Sequence, residues 1–357
     1  MQNLNFNFVL PSLRISGGIK ETLKLAEEIS SKDAHPSYFI MWKSPNEISD
    51  TIVNSIYLCE FETNAKLAIF QLPLIFLRFV LYVLLHFKAS RSAYWIFTHY
   101  TTFPLSLVIP RNRRAFFVQG MEWRFIKNKF ASNLLKTFII YFYNRGLIFT
   151  ANRFLTLGIK ECQLSVAAEL PIWADREFWI EHSGSRSYDL VMVLRKGEAK
   201  RLDLYLDFLQ STTIDGKNWN IAVITPDAEL VGLVQPYVNV CIIKPSIEAM
   251  KLTYAQSKFF LLLSEHEGFG LPPLEAMGAG CVPICRDAGG IRAYMQNELA
   301  QLVLPLNMEI EDIIQFVAKL ISENRWSTYS PIARRIFTDG LKKSQSRATT
   351  LINLSNQ

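Results

Sequence analysis

Two carboxylates, Glu267 and Glu275, stand with seven residues between them around a glycine turn, in the segment SEHEGFGLPPLEAMGAGCVPI (264–284). Gly268 and Gly270 allow tight turns and close approach of a ligand to the backbone. Pro272-Pro273 suits a helix start, where a missing N–H costs nothing, and so sets Glu275 in the first turn. Free amides at a helix start bind phosphate or sugar oxygens, and two carboxylates accept hydrogen bonds from sugar hydroxyls. For a lone carboxylate, an interaction of Glu275 with the helix macrodipole is an adequate explanation. The whole string asks for more. A second cluster, Arg195 and Lys200 in RKGEAKR, sets two cations five residues apart just after the apolar run YDLVMVL (188–194).

Such side chains need strand ends and helix starts to hold them. The chain opens with an apolar run at Phe6–Leu10, a loop ending in Gly17-Gly18, and a helical pattern over Ile19, Leu23, Leu25, Ala26 and Ile29. That is the first unit of a parallel α/β domain. Apolar runs recur at Tyr38–Trp42, Ala93–Thr98, Ala115–Val118 and Leu147–Thr150, between longer helical stretches. The region 168–187, with Pro171 and the polar run HSGSRS, predicts a boundary. Beyond it the alternation restarts at Leu190–Leu194, Ile221–Ile224, Val240–Ile243 and Phe259–Leu263, and a helical tail follows from 310. The reading is two Rossmann-like α/β domains in tandem: 1–170, a linker 171–187, 188–325, and a helical tail 326–357 packing back toward the first.

Composition agrees. At 357 residues the chain exceeds what one core supports, and with half its residues hydrophobic and 20% charged it is not a disordered chain. Five cysteines without a C-x-x-C pair predict a reducing compartment rather than a disulfide framework. The polar start Met1–Asn7 predicts no secretory signal, and the expected location is cytoplasmic.

The string EGFGLPPLE with the following AMGAG and VPI closely resembles the E-x7-E signature of retaining GT-B glycosyltransferases, specifically glycosyltransferase family 4. The resemblance implies a GT-B fold, two Rossmann-like domains facing each other across a cleft. It implies that Glu267 faces the donor sugar, that Glu275 holds ribose hydroxyls, and that amides around Gly268, Phe269, Gly270 and Leu271 contact sugar and phosphate. Arg195 and Lys200 keep the spacing of the family's G-R-x4-K-G pattern, with Leu194 and Arg201 where glycines are usual. Gly17-Gly18 matches the family's first glycine loop over the donor phosphates. LPIWADREFW (170–179) resembles its interdomain stretch at Pro171 and Asp175, while Ile172, Trp173 and Ala174 depart. DAGGIRAYM (287–295) echoes a G-G-x-P-E-V element with Ala293 in place of glutamate.

FFVQGMEWRF (116–125) is weakly similar to bacterial rhamnan and O-antigen enzymes, which makes Gln119 and Glu122 candidates to meet donor or acceptor; His99, at the end of AYWIFTH, is another. The implied reaction is transfer of a sugar, hexosyl or deoxyhexosyl, from a nucleotide-diphosphate donor to a glycan or lipid-linked acceptor, with retention and without a metal or other cofactor. A GT-B nucleotide-sugar epimerase and a non-catalytic partner subunit are the alternatives. A dinucleotide-binding dehydrogenase is disfavoured, since G-x-G-x-x-G is absent.

Two stretches bear on where the protein works. Residues 65–87 are apolar enough to raise a membrane span, but Pro73 and Arg78 sit inside, and the flanking strands belong to one sheet. A buried helix, or one dipping into the interface, is expected. Residues 111–153 hold nine Lys/Arg, one acid and interleaved aromatics. They form either a solvated basic face or a patch that docks on anionic lipid; no nucleic-acid motif accompanies them.

Overall fold

The computed structural model describes residues 5–13, 17–32, 34–43, 55–59, 65–86, 92–181, 184–216 and 218–355. The chain divides into two compact units, residues 1–172 with 344–357, and residues 173–343.

The first unit is built on seven parallel strands: β1 (Asn5–Leu10), β2 (His35–Ile40), β3 (Ser55–Tyr57), β4 (Tyr94–Phe97), β5 (Arg114–Val118), β6 (Leu147–Thr150) and β7 (Ala168–Glu169), in the order β3-β2-β1-β4-β5-β6-β7. Its helices are α1 (Gly17–Ser30), α2 (Ala65–Leu85), α3 (Lys129–Tyr143) and α4 (Arg153–Glu161), with a 3₁₀ helix at Tyr100–Val108. Strands β1, β4 and β5 are almost wholly buried, as expected of a parallel sheet covered on both faces.

In the second unit the order is β10 (Val240–Ile243), β9 (Ile221–Thr225), β8 (Tyr188–Val193), β11 (Ser257–Leu262), β12 (Val282–Arg286) and β13 (Val303–Leu304), again all parallel. Between and after them run α5 (Leu202–Ile214), α6 (Val231–Val234), α7 (Ile247–Ala255), α8 (Leu271–Gly278), α9 (Ile310–Ser322) and α10 (Trp326–Ser344). The last helix, α11 (Arg347–Ser355), returns to the first unit and packs on α1.

A buried charge cluster fixes that return. Arg347, 1% exposed, donates from Nη1 to Glu21 at 2.9 Å and from Nε and Nη2 to the two oxygens of Glu28 at 2.8 Å each, both acids lying on α1. A cation withdrawn from water this completely is tolerated because carboxylates on two sides compensate it.

In both sheets the order reverses direction once, between β1 and β4 and between β8 and β11. At such a switch point neighbouring loops diverge at the carboxyl ends of the strands and leave a crevice for a ligand. The sequence candidates emerge there: Arg195 and Lys200 just past β8, Glu267 past β11, and His99 past β4. All five cysteines are free thiols.

Candidate functional site

In the second unit the structure brings Lys200 and Glu267 together. Lys200 closes a 3₁₀ turn (Glu198–Lys200) entered through Gly197 at φ 134° and left through Arg201 at φ 51°. Gly197 stands in a region that favours glycine, whereas Arg201 adopts the left-handed conformation with a side chain, held by its forked contact with Asp203 at 2.7–3.0 Å. The turn aims Lys200 Nζ at both oxygens of Glu267, 2.8 Å from each. The Glu267 side chain is only 12% exposed. The backbone ties the same two loops together, Glu265 N–H donating to Ala199 C=O at 2.9 Å.

The loop carrying Glu267 is strapped from the other side. Glu267 N–H donates to Ala288 C=O at 2.8 Å, and Gly290 N–H donates to Glu267 C=O at 3.0 Å. Gly290 must be glycine, because a Cβ there would collide with the Gly268 carbonyl. Gly270 caps α8 in the left-handed conformation, φ 79°, where a Cβ would crowd Ile291 and the Tyr294 hydroxyl. Tyr294 donates to Gly270 C=O at 2.7 Å. Leu271 and the two prolines then form the first turn of α8, in which Leu271 alone of the three carries an N–H, and that N–H has no intrahelical acceptor.

Phe269 turns inward and is 5% exposed; it packs edge-on against Trp173, with ring centroids 5.9 Å apart, and against Tyr294 at 5.6 Å. Trp173 in turn donates from Nε1 to Phe337 C=O on α10 at 2.9 Å, and its ring lies over Gly340, where any Cβ would collide with it. Sequence reasoning marked Trp173 only as a departure from a pattern and gave Tyr294 no role. Aromatic residues three and more turns of chain away declare their partners only in the fold.

Glu275 lies on α8 against the buried Tyr254 hydroxyl, whose phenol is held well above its usual range by burial first and then by the charge of Glu275. Arg195 is exposed at the end of β8 and reaches the same phenol electrostatically, opposing that rise. Arg195, Glu275 and Tyr254 are therefore near one another, while Lys200 is turned to Glu267.

In the first unit the candidates fall into two groups. Gly17 and Gly18, expected to end a loop, already form the first turn of α1. Gly18 is closely covered by Gln119, whose Nε2 donates to Thr22 Oγ1 at 2.8 Å while Thr22 donates to Gly18 C=O at 2.9 Å. Gln119 and Gly18 are thus neighbours, which spacing alone did not reveal. The second group is His99 and Glu122. His99 caps the 3₁₀ helix: its Nδ1 accepts from the Thr101 N–H at 3.4 Å, so the ring proton sits on Nε2. Burial pulls its pKa down to about 4 and keeps the ring neutral. Glu122 opens a 3₁₀ turn; its Oε2 is shielded from solvent with no hydrogen-bond partner among the described residues, and burial pushes the carboxyl up to about 7. Its charge is felt by Tyr100, whose ring lies tilted against His99 with centroids 4.3 Å apart.

The fold is that of the GT-B proteins. The structure is similar along almost its whole length to sucrose-phosphate synthase from Thermosynechococcus elongatus (TM-score 0.71, 12% identity, 99% of this chain and 97% of that one). It is equally similar to Anabaena HepE, solved with UDP and glucose (TM-score 0.71, 12% identity, 98% and 100%). Residues 175–335, nearly all of the second unit, match the family described as "Glycosyl transferases group 1". Among curated proteins the chain is similar to one of Sulfolobus islandicus filamentous virus assigned as glycosyltransferase 41, 64% identical over 54 residues, and to the GDP-mannose:cellobiosyl-diphosphopolyprenol alpha-mannosyltransferase of Komagataeibacter xylinus, 31% identical over 114 residues. These matches span 15% and 29% of this chain and only 16% and 29% of those relatives' own lengths.

Proposed function

We propose that the protein is a retaining glycosyltransferase of family 4 type, moving a hexosyl or deoxyhexosyl unit from a nucleotide-diphosphate sugar to a glycan or lipid-linked acceptor in cell-surface polysaccharide synthesis. The observation that carries this reading is the pairing of Lys200 with Glu267 at the strand switch of the second unit, within the region similar to group 1 glycosyl transferases.

In this reading the nucleotide-sugar is bound by the second unit. Glu275 accepts from the ribose hydroxyls, and the backbone amides of Gly268, Phe269, Gly270 and Leu271 take sugar and phosphate oxygens. Glu267 orients the sugar. Arg195 and Lys200 stabilise the charge that builds on the departing diphosphate, and no metal is needed for that role. The departing phosphate takes the acceptor proton on the same face as attack, so the anomeric configuration is retained. This reading assigns Gly17 and Gly18 of the first unit to donor binding. Gln119, neutral His99 with its Nε2–H, and Glu122 with its unfilled Oε2 serve the acceptor or sugar hydroxyls. A lipid-linked acceptor puts the reaction at the cytoplasmic face of a membrane.

A panel of nucleotide sugars is offered to the protein with and without candidate acceptors, and the product is read by NMR for transfer and for the anomeric configuration. Conversion without an acceptor favours the epimerase, and an inverted product overturns retention. In parallel, Glu275→Ala weakens nucleotide binding about ten- to a hundredfold by calorimetry, the loss of a charged hydrogen bond. Unchanged affinity removes Glu275 from the site.

A further inference from the structure

The side of the first unit formed by α2, the 3₁₀ helix 100–108 and α3 is unusual in both its polarity and its charge. Right-handed crossovers carry the chain leftward from β1 through α1 to β2, but rightward from β3 through α2 to β4 and from β5 through α3 to β6. Hence α2 and α3 cover one face of the sheet and α1 the other. The 3₁₀ helix packs against both α2 and α3.

Each of the two helices has two apolar faces. In α2, Ile75, Phe79 and Val83 are buried, with Phe79 packed edge-on against Phe39 of β2 and Trp95 of β4. On its other side Leu74, Leu77, Leu81 and Leu84 recur at helical spacing and are exposed, Leu77 and Leu84 by 62%. In α3, Ile139 and Phe142 face the core, while Phe130, Leu134, Phe138 and Tyr141 are exposed, Phe130 by 79%. Leu107 of the intervening 3₁₀ helix is exposed as well. A helix apolar all round is one whose second face also leaves water, and a patch of this extent marks a docking surface.

Charge selects the occupant. Between residues 63 and 161 the sequence holds fourteen Lys or Arg and two acids, Glu122, whose Oε2 is shielded from solvent, and Glu161, which pairs with Arg124 at 3.7 Å. Arg114 is not part of the display, being 4% exposed and donating to Ile109 C=O, whereas Arg78 is exposed although it donates to Leu58 C=O at 2.9 Å. Arg111, Lys129 and Arg145 remain at the surface, the last lying 3.5 Å over the Tyr141 ring. A second copy of the chain would bring the same cations against these. An anionic bilayer supplies both complements at once, negative headgroups at the rim and hydrocarbon beneath them.

We propose that the exposed faces of α2 and α3, joined by Leu107, seat the first unit on an anionic lipid surface, with the leucines and aromatic rings entering the headgroup–acyl boundary. The helix α2 does not cross. Strands β3 and β4 on either side of it belong to one sheet, and among the described residues no helix is long and apolar enough to cross a membrane. Attachment therefore has two parts, a screened electrostatic one and an apolar one that salt does not remove.

Flotation of the full chain with vesicles of phosphatidylglycerol and phosphatidylcholine, or of phosphatidylcholine alone, tests this at low salt and at about 1 M salt, where the Debye length falls to about 3 Å. The protein floats with anionic vesicles at low salt, and a residual fraction stays bound in high salt. Leu77→Gln with Leu81→Gln and Leu84→Gln lowers binding about tenfold or more in both salts. Lys127→Gln with Lys129→Gln and Lys136→Gln removes mainly the low-salt gain. Calorimetric affinity for a nucleotide sugar, measured on the same variants, stays unchanged, so failure here is separable from failure of the glycosyltransferase reading. Absence of flotation under every condition overturns the proposal. So does a dimer in ultracentrifugation that the leucine changes dissociate, which makes the face an interface between copies. Retention through carbonate extraction overturns the peripheral mode.

Discussion

Lys200 Nζ stands 2.8 Å from both oxygens of Glu267, so the cation assigned to the diphosphate and the carboxylate assigned to the sugar are already one unit before any ligand binds. With Glu267 mostly shielded from solvent, the pair is held more firmly than an exposed ion pair. In the proposed reading an incoming diphosphate would find an ammonium already oriented, with hydrogen bonds that pass from the carboxylate to the phosphate. Lys200→Met should lower turnover at saturating donor by about 10²- to 10³-fold. Arg195→Ala should lower it by a similar order without changing which sugar is preferred. Steady-state rates decide, and near-normal turnover in either variant makes that residue a surface cation.

Glu122 should make the first unit less stable as pH rises. Its carboxyl is raised from 4.5 to about 7 in the folded state by burial. Between those values the folded protein holds a proton that the unfolded chain has lost, so stability falls across that window and levels off above about 7. Glu122→Gln, which stays neutral throughout, should flatten this slope and be the more stable form at pH 8, by on the order of 3 kcal/mol. Thermal melts of both proteins at a series of pH values measure the difference; parallel curves would show that the carboxyl ionises freely.

The acid side has a different cause. His99 is lowered to about 4 by burial, so the unfolded chain binds its proton first and stability is lost as pH falls from 6.5 toward 4. His99→Asn can still accept from Thr101 while carrying no proton, and should remove part of that acid loss in the same melts.

Removing one side of the α11 cluster should be costly. Arg347→Met leaves Glu21, 4% exposed, and Glu28 without their shared cation, and breaking a buried pair in this way costs about 3–5 kcal/mol. Hydrogen exchange should show β1 and β2 amides losing protection while β8 and β11 keep theirs. Equal loss in both units would mean that the cluster does more than hold α1.

Gly340 and Trp173 make a paired test. Gly340→Ala drives a methyl into the indole and should destabilise the second unit by about 1–3 kcal/mol. Trp173→Phe, which shortens the ring, should relieve much of that in the double variant. Because the indole packs on Phe269, the single change should also speed amide exchange in residues 266–271, and the double variant should slow it again.

Much of this architecture is legible in the chain, and the reason is physical. Parallel strands covered on both faces are written as short apolar runs such as Phe6–Leu10 and Ala115–Val118, and both emerge as strands. The string around Glu267 is legible because turn, helix start and carboxylates must follow one another without a break. Short edge strands such as Ser55–Tyr57 and Ala168–Glu169 pass unnoticed, since two or three residues carry no periodicity. The contacts of Glu267 with Lys200, of Gln119 with Gly18 and of Trp173 with Gly340 join residues that are distant in sequence, and no local spacing announces them. The basic run of 111–153 was legible as charge, but that Arg114 turns inward to the Ile109 carbonyl was not.

The Arg347 clamp also has a consequence for the order in which the protein is made. The second unit is a continuous stretch of chain and has all its parts once residue 343 has left the ribosome. The first unit, though its strands are synthesised earliest, lacks the cation that Glu21 and Glu28 share until Arg347 emerges more than three hundred residues later. Until then α1 lacks the helix that packs on it. The part of the molecule begun first is closed last.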